Sequence, residues 1–157
     1  MKKLPLTNNE YQVFFFICPA NIPFHFFVHP WVVTVHGDQI NRWEVIRRKN
    51  DQKEHFGHVY RNFYSDPVQS LKRISFSPDH WSQKSVRLLG LISGDSASVA
   101  RRVFDFVEQQ SPSYKHQDFY QTFPGPNSNT YVQWVLDNFP GTNIKLPWNA
   151  FGKNFEK

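Results

Sequence analysis

The chain places Ser128 between two asparagines, behind a proline-glycine-proline run and ahead of an apolar stretch: residues 123–136 read FPGPNSNTYVQWVL. A serine in that position has two uses. Its oxygen accepts one of the unpaired N–H groups of a helix start, which makes it an N-cap. The same place also suits a nucleophile, because the positive end of the helix dipole and its free N–H groups stabilise an oxyanion. A serine hydroxyl attacks a carbonyl only with a base beside it, and histidine is the usual base.

Seven histidines are available: His25, His29, His36, His55, His58, His80 and His116. His29 stands just before the β-branched run WVVTV at 31–35, which reads as a strand. His36-Gly37-Asp38-Gln39 follows as a hairpin turn, since Gly37 tolerates positive φ, and 40–46 returns as the second arm. With Gly37-Asp38 as a two-residue turn, His36 pairs with Gln39, Trp31 with Glu44 and His29 with Ile46. Strand alternation then puts His29, Trp31, Glu44 and Ile46 on one face, with Glu44 diagonal to His29. A one-residue slip would turn Glu44 away. The spacing therefore predicts Ser128 as nucleophile, His29 as base and Glu44 as the group that orients the imidazole, with N–H groups around Asn129 receiving the oxyanion.

Metal chemistry is less favoured by the same residues. His25 and His29 are four apart and His55 and His58 three apart, but neither pair has a cysteine partner or a helical setting, so no metal is expected. Residues 125–129, GPNSN, lack the lysine and second glycine of a phosphate loop, and no cofactor is expected.

These side chains need a scaffold to bring them together across about a hundred positions. Residues 12–18 form a continuous apolar run stopped by Pro19, read as a buried strand; 56–64 suggest a further strand weakened by Gly57. Two helices are expected over 82–92 and 96–109. The second carries Ala100, Val103, Phe104 and Val107 on one stripe and ends at Ser111-Pro112. Residues 119–123 read as a short aromatic strand or extended segment, the last helix runs from 125–129 to about 139–141, and 146–157 read as an extended tail. Counting from Ser128 by helical spacing gives Tyr131, Val132, Val135, Leu136 and Phe139, so Ser128 shares the apolar face and points towards the sheet. Strands followed by helices predict an α+β fold with an antiparallel sheet packed by helices.

At 157 residues the chain is expected to form one domain, 1–157. With 39% apolar and 20% charged residues it is globular rather than disordered, and 17% aromatics supply large buried rings. The net charge is +5, but the basic residues are scattered. Their densest cluster, Arg42, Arg47, Arg48, Lys49 and Lys53, is broken by Glu44 and Asp51 and reads as a solvated face, not a specific nucleic-acid site. Cys18 is the only cysteine, so no intramolecular disulfide forms, which fits a reducing compartment and a cytoplasmic location. Met1-Lys2-Lys3 begins like an export signal, but YQVFFFIC at 11–18 is too short to span a bilayer, so no transmembrane segment is expected; export by an unrecognised signal is the alternative.

The stretch FPGPNSNTY (123–131) resembles a bacterial domain-of-unknown-function family, number 3750 in that series. VHPWVVTV (28–35), RWEVI (42–46), PDHW (78–81) and LPWNAFGKNF (146–155) match it in the same order. More distantly, the order of elements resembles permuted papain-like proteins of the lecithin:retinol acyltransferase type, in which a strand histidine precedes a nucleophile on a later helix. Their pattern Asn-Cys-x-x-Phe-Val lies on Asn127-Ser128-Asn129-Thr130-Tyr131-Val132 without a gap, with serine in the cysteine position. That resemblance implies Ser128 as nucleophile, His29 as base and a third polar group at Asn41 or Glu44.

Two functions follow as expectations. One is a hydrolase or acyltransferase acting on amide or ester bonds of a small-molecule, peptide or lipid substrate. The other is a catalytically inactive binding module on the same scaffold, with an aromatic cleft of Trp31, Trp43, Tyr120 and Trp134 and with Asn127 and Asn129 as polar contacts. The oligomeric state is not legible.

Overall fold

The computed structural model describes residues 6–7, 9–20, 24–47, 52–69 and 86–155. Six strands, β1 (Tyr11–Pro19), β2 (Val28–His36), β3 (Gln39–Val45), β4 (His55–Phe56), β5 (Val59–Arg61) and β6 (Arg87–Gly94), form one sheet in the order β4-β5-β3-β2-β1-β6. Every neighbouring pair is antiparallel. Two helices follow, α1 (Val99–Gln110) and α2 (Ser128–Asp137). The fold is α+β, an antiparallel sheet packed by two helices.

Strand β1, between β2 and β6, is apolar on both faces. Val13, Phe15 and Ile17 point to one side, and Phe14, Phe16 and Cys18 to the other. The first side joins Val32, Trp43 and Val45 of the sheet to Ala100, Val103 and Val107 of α1 and to Val132 and Val135 of α2. On the second side Trp31, Val33 and Val35 pack with the β1 phenylalanines. Both helices therefore lie on one face. The other is covered in part by the chain after β5, where Trp31 Nε1 donates to the Pro67 carbonyl at 2.9 Å.

The hairpin forms in the expected register. His36 pairs with Gln39, Val35 with Ile40 and Val32 with Trp43, and Gly37 supplies φ +57 at the turn. The strand expected over 56–64 is instead two short strands, because Gly57 at φ +60 turns the chain between them.

The helix expected over 82–92 is not found. Residues 82–85 lie outside those described, and Arg87–Gly94 is the edge strand β6, paired with β1. The physical reason is tertiary. β1 has a free edge whose N–H and C=O groups need partners, and that requirement overrides the local pattern of leucines. Gly90 also fits a strand, since any Cβ there would lie 2.6 Å from the Ile144 side chain. Two further segments differ from expectation. Residues 119–123 join no strand, and Gln121 N–H instead donates to the Pro126 carbonyl. The tail is folded into tight turns rather than extended, with Ala150 bonded to Pro147, Lys153 to Ala150 and Phe155 to Gly152.

Candidate functional site

The start of α2 decides what Ser128 is free to do. Asn127, not Ser128, is the N-cap: its Oδ1 accepts from Asn129 N–H at 2.9 Å and Thr130 N–H at 3.3 Å. Thr130 Oγ1 in turn accepts from Asn127 N–H at 3.1 Å, which closes a capping box. The serine hydroxyl is left to bond elsewhere.

It bonds to His29. Ser128 Oγ lies 3.1 Å from His29 Nδ1, and His29 Nε2 lies 3.1 Å from Glu44 Oε2. All three residues are buried. A carboxylate only accepts, so Glu44 holds the proton on Nε2 and leaves the Nδ1 lone pair facing the serine hydroxyl. The structure thus brings Ser128, His29 and Glu44 into one hydrogen-bonded chain.

The approach is not the one helical spacing suggests. Strand alternation sets His29, Trp31, Arg42 and Glu44 on the sheet face away from the helices. Ser128 meets His29 because α2 begins at the end of the sheet, where Asn129 Nδ2 donates to the carbonyl of Val28, the first residue of β2, at 3.1 Å. Nor does a shared apolar face single out Ser128, since Asn127 and every residue from Ser128 to Val132 are buried.

Glu44 is anchored by a residue whose place in a basic run predicts a solvated face. Arg42 is fully buried, with Nη2 donating to Glu44 Oε2 at 2.8 Å and Nε 2.8 Å from Oε1, the latter an ion pair off the hydrogen-bond angle. Its guanidinium stacks 4.2 Å from the Trp31 ring centre and 4.7 Å from that of Tyr64, and it donates to the Gln69 carbonyl. Burial is the largest single influence on the Glu44 carboxyl and opposes ionisation. The Arg42 charge, then the hydrogen bond and charge of His29, together outweigh it and hold the carboxyl below its ordinary value. The signal for Arg42 was present, since Arg42 and Glu44 are two apart on one strand and must share a face.

The alternative third position, Asn41, is not near His29. It faces the helix side, where its Nδ2 donates to Glu108 at 2.9 Å and its Oδ1 accepts from Asn62. The N–H of Asn129, expected to face an oxyanion, is taken by the Asn127 cap. The N–H of Ser128 itself donates to no described residue.

Asn129 is a tether. Its Nδ2 bridges the carbonyls of Val28 and Phe151, and Asn127 Nδ2 also donates to Phe151 and to Thr122. Thr130 Oγ1 donates to the Gly152 carbonyl at 2.8 Å. The 146–155 segment thereby braces the helix start. Gly152, at φ +93, is needed for that approach, since a Cβ would stand 2.5 Å from Asn127 Nδ2.

Of the rings assigned to a cleft, Trp31 and Trp43 are fully buried on opposite faces of the sheet. Trp134 packs among Phe106, Tyr114 and Tyr131. Tyr120 is half-buried beside His58, and burial raises its phenol pKa against a hydrogen bond from Thr122. His58 and His55 bond to the carbonyls of Ile46 and Gly57. Among the described residues, no three His, Cys, Asp or Glu side chains are grouped to hold a metal ion. No helix among them is long and apolar enough to cross a membrane.

A family model for a protein of unknown function, DUF3750, matches residues 12–155. The chain belongs to the DUF3750 family. That match takes in His29, Glu44, Ser128 and the bracing segment through Phe155. It also spans all five stretches that carry the resemblance, including 78–81, which lies outside the described residues. No curated protein and no solved structure matches the chain.

Proposed function

We propose that this DUF3750 protein is a hydrolase or acyltransferase acting on amide or ester bonds through Ser128, with a permuted papain-like arrangement in which serine replaces cysteine. The observation that carries the reading is the buried chain from Ser128 Oγ to His29 Nδ1 and from His29 Nε2 to Glu44. Ser128 Oγ attacks the substrate carbonyl carbon as its proton passes to His29 Nδ1. The carbonyl oxygen gains the negative charge and faces the Ser128 N–H at the positive end of α2. The imidazolium then protonates the leaving amine or alcohol, and the C–N or C–O bond breaks to leave an acyl-serine. Water, or an acceptor nucleophile in a transferase, completes the cycle by the same steps reversed. Glu44 stabilises the imidazolium that forms, and Arg42 keeps Glu44 ionised to do so.

The order of chemistry along the chain, strand histidine first and helix nucleophile later, supports the permuted papain-like assignment. The binding-module reading is disfavoured by its own rings, because Trp31 and Trp43 are fully buried and offer no surface to a ligand.

A serine-reactive fluorophosphonate probe tests the proposal. Covalent labelling of the wild type is expected, with none on Ser128→Ala and a rate slower by about a thousandfold or more on His29→Ala. Labelling that persists on Ser128→Ala, or a wild type that never labels, would sink it.

A further inference from the structure

Large apolar side chains left in water concentrate around the start of α2. Trp148 is 83% exposed, Phe123 59% and Phe26 57%. These three rings belong to segments far apart in sequence, yet they form one patch. Phe26 lies 4.4 Å from Phe27, Phe27 lies 4.3 Å from Phe151, and Phe151 touches both Phe123 and Trp148 at 6.2 and 6.5 Å between ring centres. Exposed aromatics on one contiguous surface mark an interaction site, whereas scattered ones mean little.

The charge around the rings narrows the partner. The segments 24–28 and 145–155 that carry Phe26 and Trp148 hold Lys145 and Lys153, with Asp137 beside the two lysines and Asp118 bordering the segment that carries Phe123. Lys153 Nζ sits on the carbonyls of Leu146 and Pro147, beside Trp148. Arg87 is exposed and, with His25 and Phe27, lines a cavity of about 260 Å³ next to the patch. Exposed rings, one of them an indole with a polar N–H, with Arg87, Lys145 and Lys153 in the neighbouring segments, match the interface of an anionic bilayer, where aromatics enter the headgroup layer and basic side chains meet phosphate.

We infer that this aromatic patch docks the protein on the surface of an anionic phospholipid bilayer, with the Ser128 end of α2 turned towards the lipid. The same backbone that presents the rings holds the site: the Phe151 carbonyl accepts from both Asn127 and Asn129, the two neighbours of Ser128. Docking does not depend on the chemistry proposed for Ser128 and is measured without it.

Co-sedimentation with vesicles tests this directly. The full chain is mixed with vesicles of phosphatidylcholine alone, or of phosphatidylcholine and phosphatidylglycerol in equal parts. Binding to the anionic vesicles is expected near physiological salt, weaker at high salt and absent from the neutral ones. Trp148→Ala and Phe26→Ser should each lower partitioning by roughly tenfold, as befits one ring withdrawn from an apolar phase. Both side chains face solvent, so the thermal unfolding midpoint should not move. Ser128→Ala should bind as the wild type does while losing probe labelling. Failure to bind anionic vesicles, or equal binding by Trp148→Ala, overturns the inference. So does a concentration-dependent dimer broken by Trp148→Ala in a chain that ignores vesicles, which assigns the patch to a second copy instead.

Discussion

Arg42 belongs to the densest basic run in the sequence, yet its charge is held inside the molecule against Glu44. Taking two charges out of water is costly, and the ion pair offsets that cost only while both partners remain. Removing one leaves the other buried and alone. Glu44→Gln is therefore expected to destabilise the fold by about 3–5 kcal/mol, read as a lower urea midpoint at unchanged slope. Replacing both, Arg42→Met with Glu44→Leu, should recover most of that loss while leaving Ser128 unreactive to the probe. Equal stability losses in the single and the double variant would show that the pair does not act as a unit. Asn129 makes the matching prediction for geometry. Its amide ties the α2 start to Val28, the residue before His29, so Asn129→Ala should slow labelling of Ser128 more than it lowers the urea midpoint. That His29 and Glu44 share a sheet face was legible because a two-residue glycine turn fixes the hairpin register, and the register fixes which side chains point the same way. Asn127 as the cap was not, since serine and asparagine compete for that role on equal terms.

At the level of elements, the helix start and the C-terminal turns stand or fall together. Gly152 allows the chain to pass against Asn127 with φ +93, whereas a Cβ added at Gly141 would meet nothing within 4 Å, at an ordinary φ. Gly152→Ala should cost about 2 kcal/mol or more and slow Ser128 labelling; Gly141→Ala should leave both within error. Comparable effects from the two would remove the bracing role assigned to 146–155. On the helix-covered face of the sheet, Glu108 of α1 accepts from Thr34, Asn41 and Trp43, which locks α1 to β2 and β3. Strands β1, β2 and β3 and helix α1 could be read from local pattern because periodicity, turn residues and burial agree there. Strand β6 could not: its leucines suit either state, and what decides is the open edge of β1, roughly seventy residues earlier. The glycine at position 90 was the local hint, a poor helix residue where the helix was expected. The folded tail was equally hidden, because its turns are set by the carbonyls it must offer to Asn127, Asn129 and Thr130 rather than by its own aromatic pattern.

For the molecule as a whole, the ionised Glu44 couples folding to pH. In the native state Arg42 and His29 hold its carboxyl below the ordinary value, while in the unfolded chain it titrates as an exposed glutamate. The unfolded state therefore binds the proton more readily. The stability that Glu44 contributes is fully present above its unfolded pKa, roughly 4.3, and is lost as the pH falls through the lower native value. Wild-type stability should accordingly decline on acidification below about pH 4 with a steeper slope than that of Glu44→Gln, which has no proton to take up at that position. Urea midpoints measured from neutral pH downwards separate the two curves: they should lie far apart near neutrality and converge in acid. The sheet gives this convergence its reach. Glu44 lies on β3 in the interior of the sheet, and its protonation leaves Arg42 uncompensated beneath Trp31, with both of those side chains fully buried. Curves that remain parallel down to the acid limit would mean that Glu44 is not ionised in the native protein, and a neutral Glu44 could not stabilise the imidazolium that the proposed chemistry requires.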